Sequence, residues 1–342
     1  MAVVPVLVYF SDMKLAFYST QRYDKEYFTR LNPGYEINFL ETTLREKTVK
    51  LITDETAVCA FVNDDLSAPV IIALAAKGVK LIAMRCAGYN NVDLSAASQA
   101  GIAVVRVPAY SPYAVAEHAV AMIMTLNRKT HKAYNRVREG NFSLDRLTGF
   151  DLHGKTVGVI GMGKIGRVFS KIMSGFGCKV LVHDLYPDQS WEQRGWQITE
   201  LDELFHLSDI ISLHCPLTEK TRHLVNQKTI HQMKRGVMII NTGRGALIDT
   251  GAVIHSLKTG RIGYLGIDVY EQEENLFFRD LSENVIQDDQ ILRLMSFPNV
   301  LITAHQAFFT DEALSEIARV TYANMDSFEK GAELKNIVRL PG

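Results

Sequence analysis

The sequence predicts an α/β chain folded as two doubly wound parallel-sheet domains with a cleft between them. Three observations carry that prediction. Short apolar runs alternate with helix-patterned segments almost from end to end, the order that builds parallel sheets flanked by helices. One glycine-rich turn, Gly161-Met162-Gly163-Lys164-Ile165-Gly166, stands between such a run and such a helix. At 342 residues the chain is long enough for two domains.

The elements follow in order. The first ten residues are apolar but lack the basic start and cleavage site of a secretion signal. Residues 1–12 are either an upstream extension or an extra edge strand, and the run at 14–20 makes a normal first strand. Further strands are predicted at 57–62, 80–84 and 102–107, with helices at 69–76 and 94–100 between them. A helix-like stretch then runs from 114 to about 138, rich in Ala, Val and Met in its first half and basic in its second. A helix so apolar suits either a contact between subunits or burial in a core. The second unit opens with a strand at 156–160, the glycine turn, and a helix at 164–176 with Ile165, Val168, Phe169, Ile172 and Met173 at helical spacing. A strand at 179–182 runs into His183-Asp184, and more are predicted at 210–213, 236–240, 264–267 and 300–303. The second unit is complete by about residue 306, so the helix predicted at 311–330 returns to the first.

Bulk properties exclude several functions. A formal net charge of −1 gives no electrostatic footprint for nucleic acid or an anionic membrane, and no apolar stretch reaches transmembrane length. Cys59, Cys86, Cys178 and Cys215 are scattered, with neither a C-x-x-C pair nor zinc-ligand spacing. They read as reduced, buried thiols of a cytoplasmic protein, and no metal site is predicted.

The glycine turn carries the first chemistry. Strand, G-x-G-x-x-G, helix, strand and acid within about thirty residues form a dinucleotide-binding unit of Rossmann type. Gly161 allows the tight turn, Gly163 lets a pyrophosphate approach the backbone, and Gly166 lets helix pack on strand. The helix N-terminus offers its N–H groups to the phosphates. Asp184, ending the second strand, suits both ribose hydroxyls and repels a 2′-phosphate, so the predicted cofactor is NAD rather than NADP.

Three more polar residues follow three successive strands: Arg244, Glu273 and His305. Ligands of an open parallel sheet bind beyond the carboxyl ends of its strands. Arginine grips a carboxylate with two prongs, histidine gives or takes an alcohol proton, and a neighbouring carboxylate favours the imidazolium and fixes its ring. The trio suits hydride transfer to a 2-keto acid. Singly, each has a plainer reading. An arginine past a strand often pairs only with a surface acid. Glu273 sits among Glu271 and Glu274 in what could be a solvated run, and His305 is one of ten histidines. Their shared position joins them.

Longer blocks resemble a known family. Residues 85–93 (RCAGYNNVD), 107–112 (VPAYSP), 214–218 (HCPLT), 241–249 (NTGRGALID), 268–271 (DVYE) and 305–308 (HQAF) are similar to the D-2-hydroxyacid dehydrogenases, above all the fermentative NAD-dependent D-lactate dehydrogenases of bacteria. The resemblance runs from about Met13 to the C-terminus. It implies that Arg244 orients the substrate carboxylate and keto oxygen, that His305 is the acid/base, and that Glu273 keeps it protonated for pyruvate reduction. Backbone N–H groups at Ala87 and Gly88 would grip the carboxylate, Tyr110 would reach the substrate, and Phe308 and Phe61 would crowd its methyl side. Around the cofactor, it implies Lys164 and Ile165 at the pyrophosphate and Asp184 at the ribose. Cys215, Pro216 and Thr221 would line the adenine or ribose wall, Thr242 and Gly243 would lie near the nicotinamide, and Asp268 by its carboxamide. The implied domains are 1–110 with 308–342 for substrate and 111–307 for NAD. The implied partners are pyruvate or D-lactate and further copies of the chain, as a homodimer or homotetramer joined through the NAD-binding domain. Gly243 departs from the family, where many members have Ser or Ala, and predicts a looser loop. Two rival readings stand beside this one: a dehydrogenase for another D-2-hydroxy acid such as hydroxyisocaproate or glycerate, and an NAD-sensing protein like the family's corepressors. A formate dehydrogenase is disfavoured, because formate oxidation has no alcohol proton for the histidine to handle.

Overall fold

The structure, a computed structural model, describes residues 13–273 and 276–340. The expectations for residues 1–12, as extension or edge strand, lie outside the described residues, as does Glu274. The chain divides into two compact units, one reaching to Ser111 and resuming at Phe309, the other Pro112–Phe308.

The first unit holds β1 (Lys14–Phe17), α1 (Arg22–Arg30), β2 (Glu36–Phe39), β3 (Ala57–Ala60), α2 (Ala68–Ala76), β4 (Leu81–Met84), α3 (Leu94–Gln99) and β5 (Ala103–Arg106). Its sheet is five-stranded in the order β2-β1-β3-β4-β5, with every pairing parallel. β3 and β4 are buried at every position, as central strands covered on both faces must be. Val58, Ile82, Val104 and Leu74 centre the core. The C-terminal helix, Asp311–Glu329, packs on β4, β5 and α1 of this unit. Its Tyr322 meets Phe28 edge-on at 5.5 Å and stacks on Tyr35 at 5.8 Å.

The second unit holds α4 (Pro112–Arg128), α5 (Thr130–Arg138), β6 (Thr156–Ile160), α6 (Lys164–Gly175), β7 (Lys179–His183), β8 (Trp196–Ile198), α7 (Leu201–Leu207), β9 (Ile210–Leu213), α8 (Gln227–Gln232), β10 (Val237–Asn241), α9 (Thr250–Lys258), β11 (Ile262–Ile267), α10 (Asp289–Met295) and β12 (Val300–Ile302). Its parallel sheet is seven-stranded, β12-β11-β10-β9-β6-β7-β8. Strand order reverses between β6 and β9, and in the first sheet between β1 and β3. Ligands of doubly wound sheets bind at these switch points.

The single helix predicted over 114–138 is two. Lys129 takes a left-handed φ of 52° and ends α4. The reason is burial: Ala116, Ala119, Met122, Ile123 and Leu126 of α4 enter the unit's own core, whereas α5 has no buried residue to continue that face. The cysteines also need correcting. All four are free, but only Cys59 and Cys86 are buried, while Cys178 and Cys215 are partly exposed. Burial pushes the Cys59 thiol up to about 12 and those of Cys178 and Cys215 up to about 11, so none of these three is a ready nucleophile. Among the described residues no helix is long and apolar enough to cross a membrane, and no group of His, Cys, Asp and Glu could hold a metal ion.

Candidate active site

The glycine turn sits at the switch point of the second sheet, and its three glycines have three separate reasons. Gly161 has φ +95°, and a methyl group there would lie 2.4 Å from the Cys215 backbone nitrogen just past β9. A methyl group at Gly166 would lie 2.0 Å from the Gly161 carbonyl oxygen, so α6 can start against the turn only without one. Gly163 is different: a methyl group there meets nothing within 4 Å. The fold itself therefore does not require a glycine there. Gly163 is also the N-cap of α6 and offers no side-chain cap, which leaves helix N–H groups for an anion. Lys164 is exposed, while Ile165 is partly buried and packs against the core. Asp184 Oδ2 accepts the Met162 N–H at 2.6 Å and its Oδ1 the Tyr186 N–H at 3.0 Å, which fixes the carboxylate beside the turn. The Thr221 hydroxyl donates to the Pro216 carbonyl oxygen at 2.7 Å and is used inside its own turn. Thr242 Oγ1 is buried with no partner among the described residues, an unmatched polar atom next to Gly243. These features fit a dinucleotide.

The trio Arg244, Glu273 and His305 follows the neighbouring strands β10, β11 and β12. Arg244 follows β10 and caps a single 3₁₀ turn, Gly245–Leu247. The Asn241 side chain spans its loop, accepting the Gly243 N–H at 3.0 Å and donating to the Arg244 carbonyl oxygen at 2.9 Å. Arg244 Nη1 donates to the Gly243 carbonyl oxygen at 2.8 Å. The loop at Gly243, expected to be looser, is thus tied by the side chains of its neighbours Asn241 and Arg244, and none of these bonds needs a side chain at 243. A methyl group at Gly245 would lie 2.1 Å from the Tyr270 carbonyl carbon, so the Arg244 loop rests directly on the segment after β11.

That segment carries Glu273. Its Oε2 accepts the Tyr270 N–H at 2.9 Å, and its Oε1 lies 2.8 Å from His305 Nδ1. His305 itself has a left-handed φ of +53°, which a non-glycine residue keeps only when its surroundings hold it there. Asp268, fully buried, does the holding. Its carbonyl oxygen accepts the His305 N–H at 2.7 Å, and its carboxylate accepts Gln306 N–H and Ala307 N–H, each at 2.9 Å, and Thr303 Oγ1–H at 2.5 Å. His118 Nε2 of α4 completes the network, 3.1 Å from Thr303 Oγ1 and 3.5 Å from Asp268 Oδ1. Burial alone would push the Asp268 carboxyl up, but the bonds from His118, Thr303 and the two N–H groups hold it below the usual carboxylate range. Phe308 lies edge-on to the His305 ring at 6.5 Å, and Phe278 lies tilted against it at 5.8 Å. Sequence reasoning missed His118, Thr303 and Phe278. A histidine one turn into an apolar helix is the only one of the three with a readable signal.

In the first unit, Phe61 follows β3 and Ala87 and Gly88 follow β4. The Ala87 carbonyl oxygen accepts from Arg106 Nη1 at 2.8 Å and the Gly88 carbonyl oxygen lies 3.3 Å from Cys86 Sγ. The N–H groups of 87 and 88 have no acceptor among the described residues.

Comparison with known proteins agrees with this chemistry. Residues 120–307 match the NAD-binding domain of the D-isomer specific 2-hydroxyacid dehydrogenases. The chain is 54% identical over 326 residues to a D-lactate dehydrogenase of Escherichia coli, covering 95% of this chain and 99% of that one. The apo-structure of D-lactate dehydrogenase from Escherichia coli superposes with a TM-score of 0.88 at 52% identity, over 95% of this chain and all of the other. The pyruvate reductase of Chlamydomonas reinhardtii superposes with a TM-score of 0.90 at 43% identity, over 97% and 100% of the two chains. The NAD-binding turn, the strand-end residues and these likenesses agree, and the chain belongs to the NAD-dependent D-isomer specific 2-hydroxyacid dehydrogenases.

Proposed function

We propose that this dehydrogenase is a D-lactate dehydrogenase that works as a pyruvate reductase, with His305 as proton donor, Glu273 as its partner and Arg244 as the carboxylate clamp. The observation that carries the reading is the 2.8 Å contact between His305 Nδ1 and Glu273 Oε1. A carboxylate at Nδ1 accepts that N–H, which leaves the second proton of an imidazolium at Nε2, free for a keto oxygen. The second oxygen of Glu273 is fixed by Tyr270, so the ring's direction is set from behind. Arg244 spends one N–H on its own loop, and its remaining donors have no partner among the described residues, which suits a two-pronged grip on a carboxylate. When bound, the reduced nicotinamide supplies the hydride to C2 of the keto acid. Ala87 and Gly88 offer the N–H groups of an anion-binding turn to a carboxylate, and Tyr110, Phe61 and Phe308 are assigned to the substrate. Asp184 selects NAD, Lys164 and Ile165 meet the pyrophosphate, and Cys215, Pro216 and Thr221 line the adenine or ribose. Thr242, Gly243 and Asp268 lie toward the nicotinamide. The unit from Pro112 to Phe308 is the NAD-binding domain and the other the substrate domain.

The resemblance to a D-lactate dehydrogenase and to a pyruvate reductase supports both the substrate and the direction. Four free cysteines suit the cytoplasm. Tyr134, Val137, Phe142 and Leu144, on and just after α5, are 52–81% exposed, and we assign the homodimer or homotetramer contact to them. The deciding experiment is turnover of NADH with pyruvate, 2-ketoisocaproate and hydroxypyruvate. Pyruvate should give the highest kcat/KM and D-lactate as sole product. A preference for either other acid would move the assignment within the family, and no turnover on any would remove it.

A further inference from the structure

Phe61 stands at the switch point of the first sheet, and a buried polar network holds every part of it. Its N–H donates to Asp64 Oδ2 at 2.7 Å. Its carbonyl oxygen accepts from Asn91 Nδ2 and from the Asp64 N–H, each at 3.1 Å. Asn91 Nδ2 also donates to the Asp64 carbonyl oxygen at 2.7 Å. The Phe61 ring lies 4.9 Å from the Arg85 guanidinium, which also stacks on Phe17 at 4.6 Å.

This Arg85 is unusual in its own right. It is 3% exposed and shares its burial with Asp24 and Asp64. Its Nη2 donates to the Ser19 carbonyl oxygen at 2.9 Å and lies 3.4 Å from Asp24 Oδ2, while Nη1 has no partner among the described residues. Burial pushes the Asp64 carboxyl up even with Arg85 near it. A buried cation with an unmatched donor is a costly way to fill a core that leucine would fill better. What leucine cannot do is present a flat, rigid surface against an aromatic ring.

We propose that Arg85, Asp64 and Asn91 are positioning residues for substrate specificity, fixing the ring and backbone of Phe61 so that the room for the keto acid's side chain is set by a wall that does not yield. The proposal rests on the reading that Phe61 bounds the substrate. Groups that must discriminate by size are effective only when their own rotamers are locked from behind. A freely turning Phe61 would make way for a larger side chain.

The test is the ratio of kcat/KM for 2-ketoisocaproate to that for pyruvate, read in one preparation so that the folded fraction cancels. The variants are Phe61→Ala, Asn91→Ala and Arg85→Lys, and the latter two each combined with Phe61→Ala. Phe61→Ala should raise the ratio by about tenfold or more. Asn91→Ala and Arg85→Lys should raise it by a smaller factor, and neither should change it further once Phe61 is gone. If Phe61→Ala leaves the ratio unchanged, the reading of Phe61 as a substrate wall fails and takes the proposal with it. If Phe61→Ala raises the ratio but the other two do not, or if they act equally well without Phe61, the positioning proposal is overturned and the wall stands. Should Arg85→Lys fail to fold, Asn91→Ala, which removes no charge, decides alone.

Discussion

A proton delivered from Nε2 of His305 depends on what occupies Nδ1, and Glu273 occupies it. Replacing His305 with Ala should lower kcat for pyruvate reduction by about 10²- to 10⁴-fold, the usual contribution of a positioned acid, while NADH binding measured by fluorescence titration stays near wild type. Glu273→Gln keeps a partner at Nδ1 but removes the charge that favours the imidazolium. Pyruvate reduction should therefore lose about tenfold or more in kcat while the KM for NADH stays near wild type. An unchanged kcat would take Glu273 out of proton transfer. Asp268→Asn removes a charge that three hydrogen bonds and His118 are built around, and should cost about 1–3 kcal/mol at neutral pH. The Asp268 carboxyl sits below its unfolded value of 3.8 in the folded chain. Its stabilisation is therefore complete above that value and lost as pH falls through the lower, folded one. Urea unfolding at pH 7 and pH 3 should show the gap between wild type and Asp268→Asn narrowing at acid pH. Glu273 and His305 were legible because each directly follows a strand of the same sheet. The work of Asp268 was only half legible: DVYE marked it, but the N–H groups it binds belong to residues nearly forty positions on. His118 showed in the sequence only as a histidine in an apolar helix, since its partners, Thr303 and Asp268, are reached only once α4 lies across the sheet.

The glycine turn allows the clearest test of which element serves the fold and which serves the ligand. Gly166→Ala places a methyl group 2.0 Å from a backbone oxygen that cannot move aside without lifting α6 off β6. It should cost about 1–3 kcal/mol or prevent folding. Gly163→Ala meets nothing within 4 Å, so the cofactor-free protein should melt within a degree or two of wild type while its KM for NADH rises steeply. Equal losses of stability in the two variants would contradict the separate roles. Central strands were readable because burial on both faces demands an unbroken apolar run, as at β3, β9 and β10. β2 and β8 were not, because each pairs on one side only and needs few apolar residues; EINF and WQI carry no run to find. The division of α4 from α5 was hidden for a different reason. Helix-forming residues continue through Lys129, and what stops is the buried face.

At the scale of the whole molecule, Phe61 in the first sheet and the glycine turn in the second stand at carboxyl ends beside a switch in strand order, while Arg244, Glu273 and His305 follow β10, β11 and β12 in turn to one side of it. The two units have separate cores, and the chain's two tryptophans, Trp191 and Trp196, are both buried in the second. Trp196 lies on β8, paired with β7, which Asp184 directly follows. Tryptophan fluorescence therefore reports the melting of the NAD-binding unit, whatever the first unit does. A ligand that binds only the folded form at 100 times its Kd adds about 2.7 kcal/mol, which for a unit of this size is roughly 5–10 °C in Tm. NAD⁺ should raise the fluorescence-detected midpoint by that amount. NADP⁺ at the same concentration should leave it nearly unmoved, because its 2′-phosphate would sit against the carboxylate that Met162 and Tyr186 hold in place. Asp184→Ala should bring the two shifts together, by weakening the NAD⁺ response and admitting NADP⁺. An equal shift with both cofactors in the wild type would mean that Asp184 does not set the preference and that the ribose is read by another group.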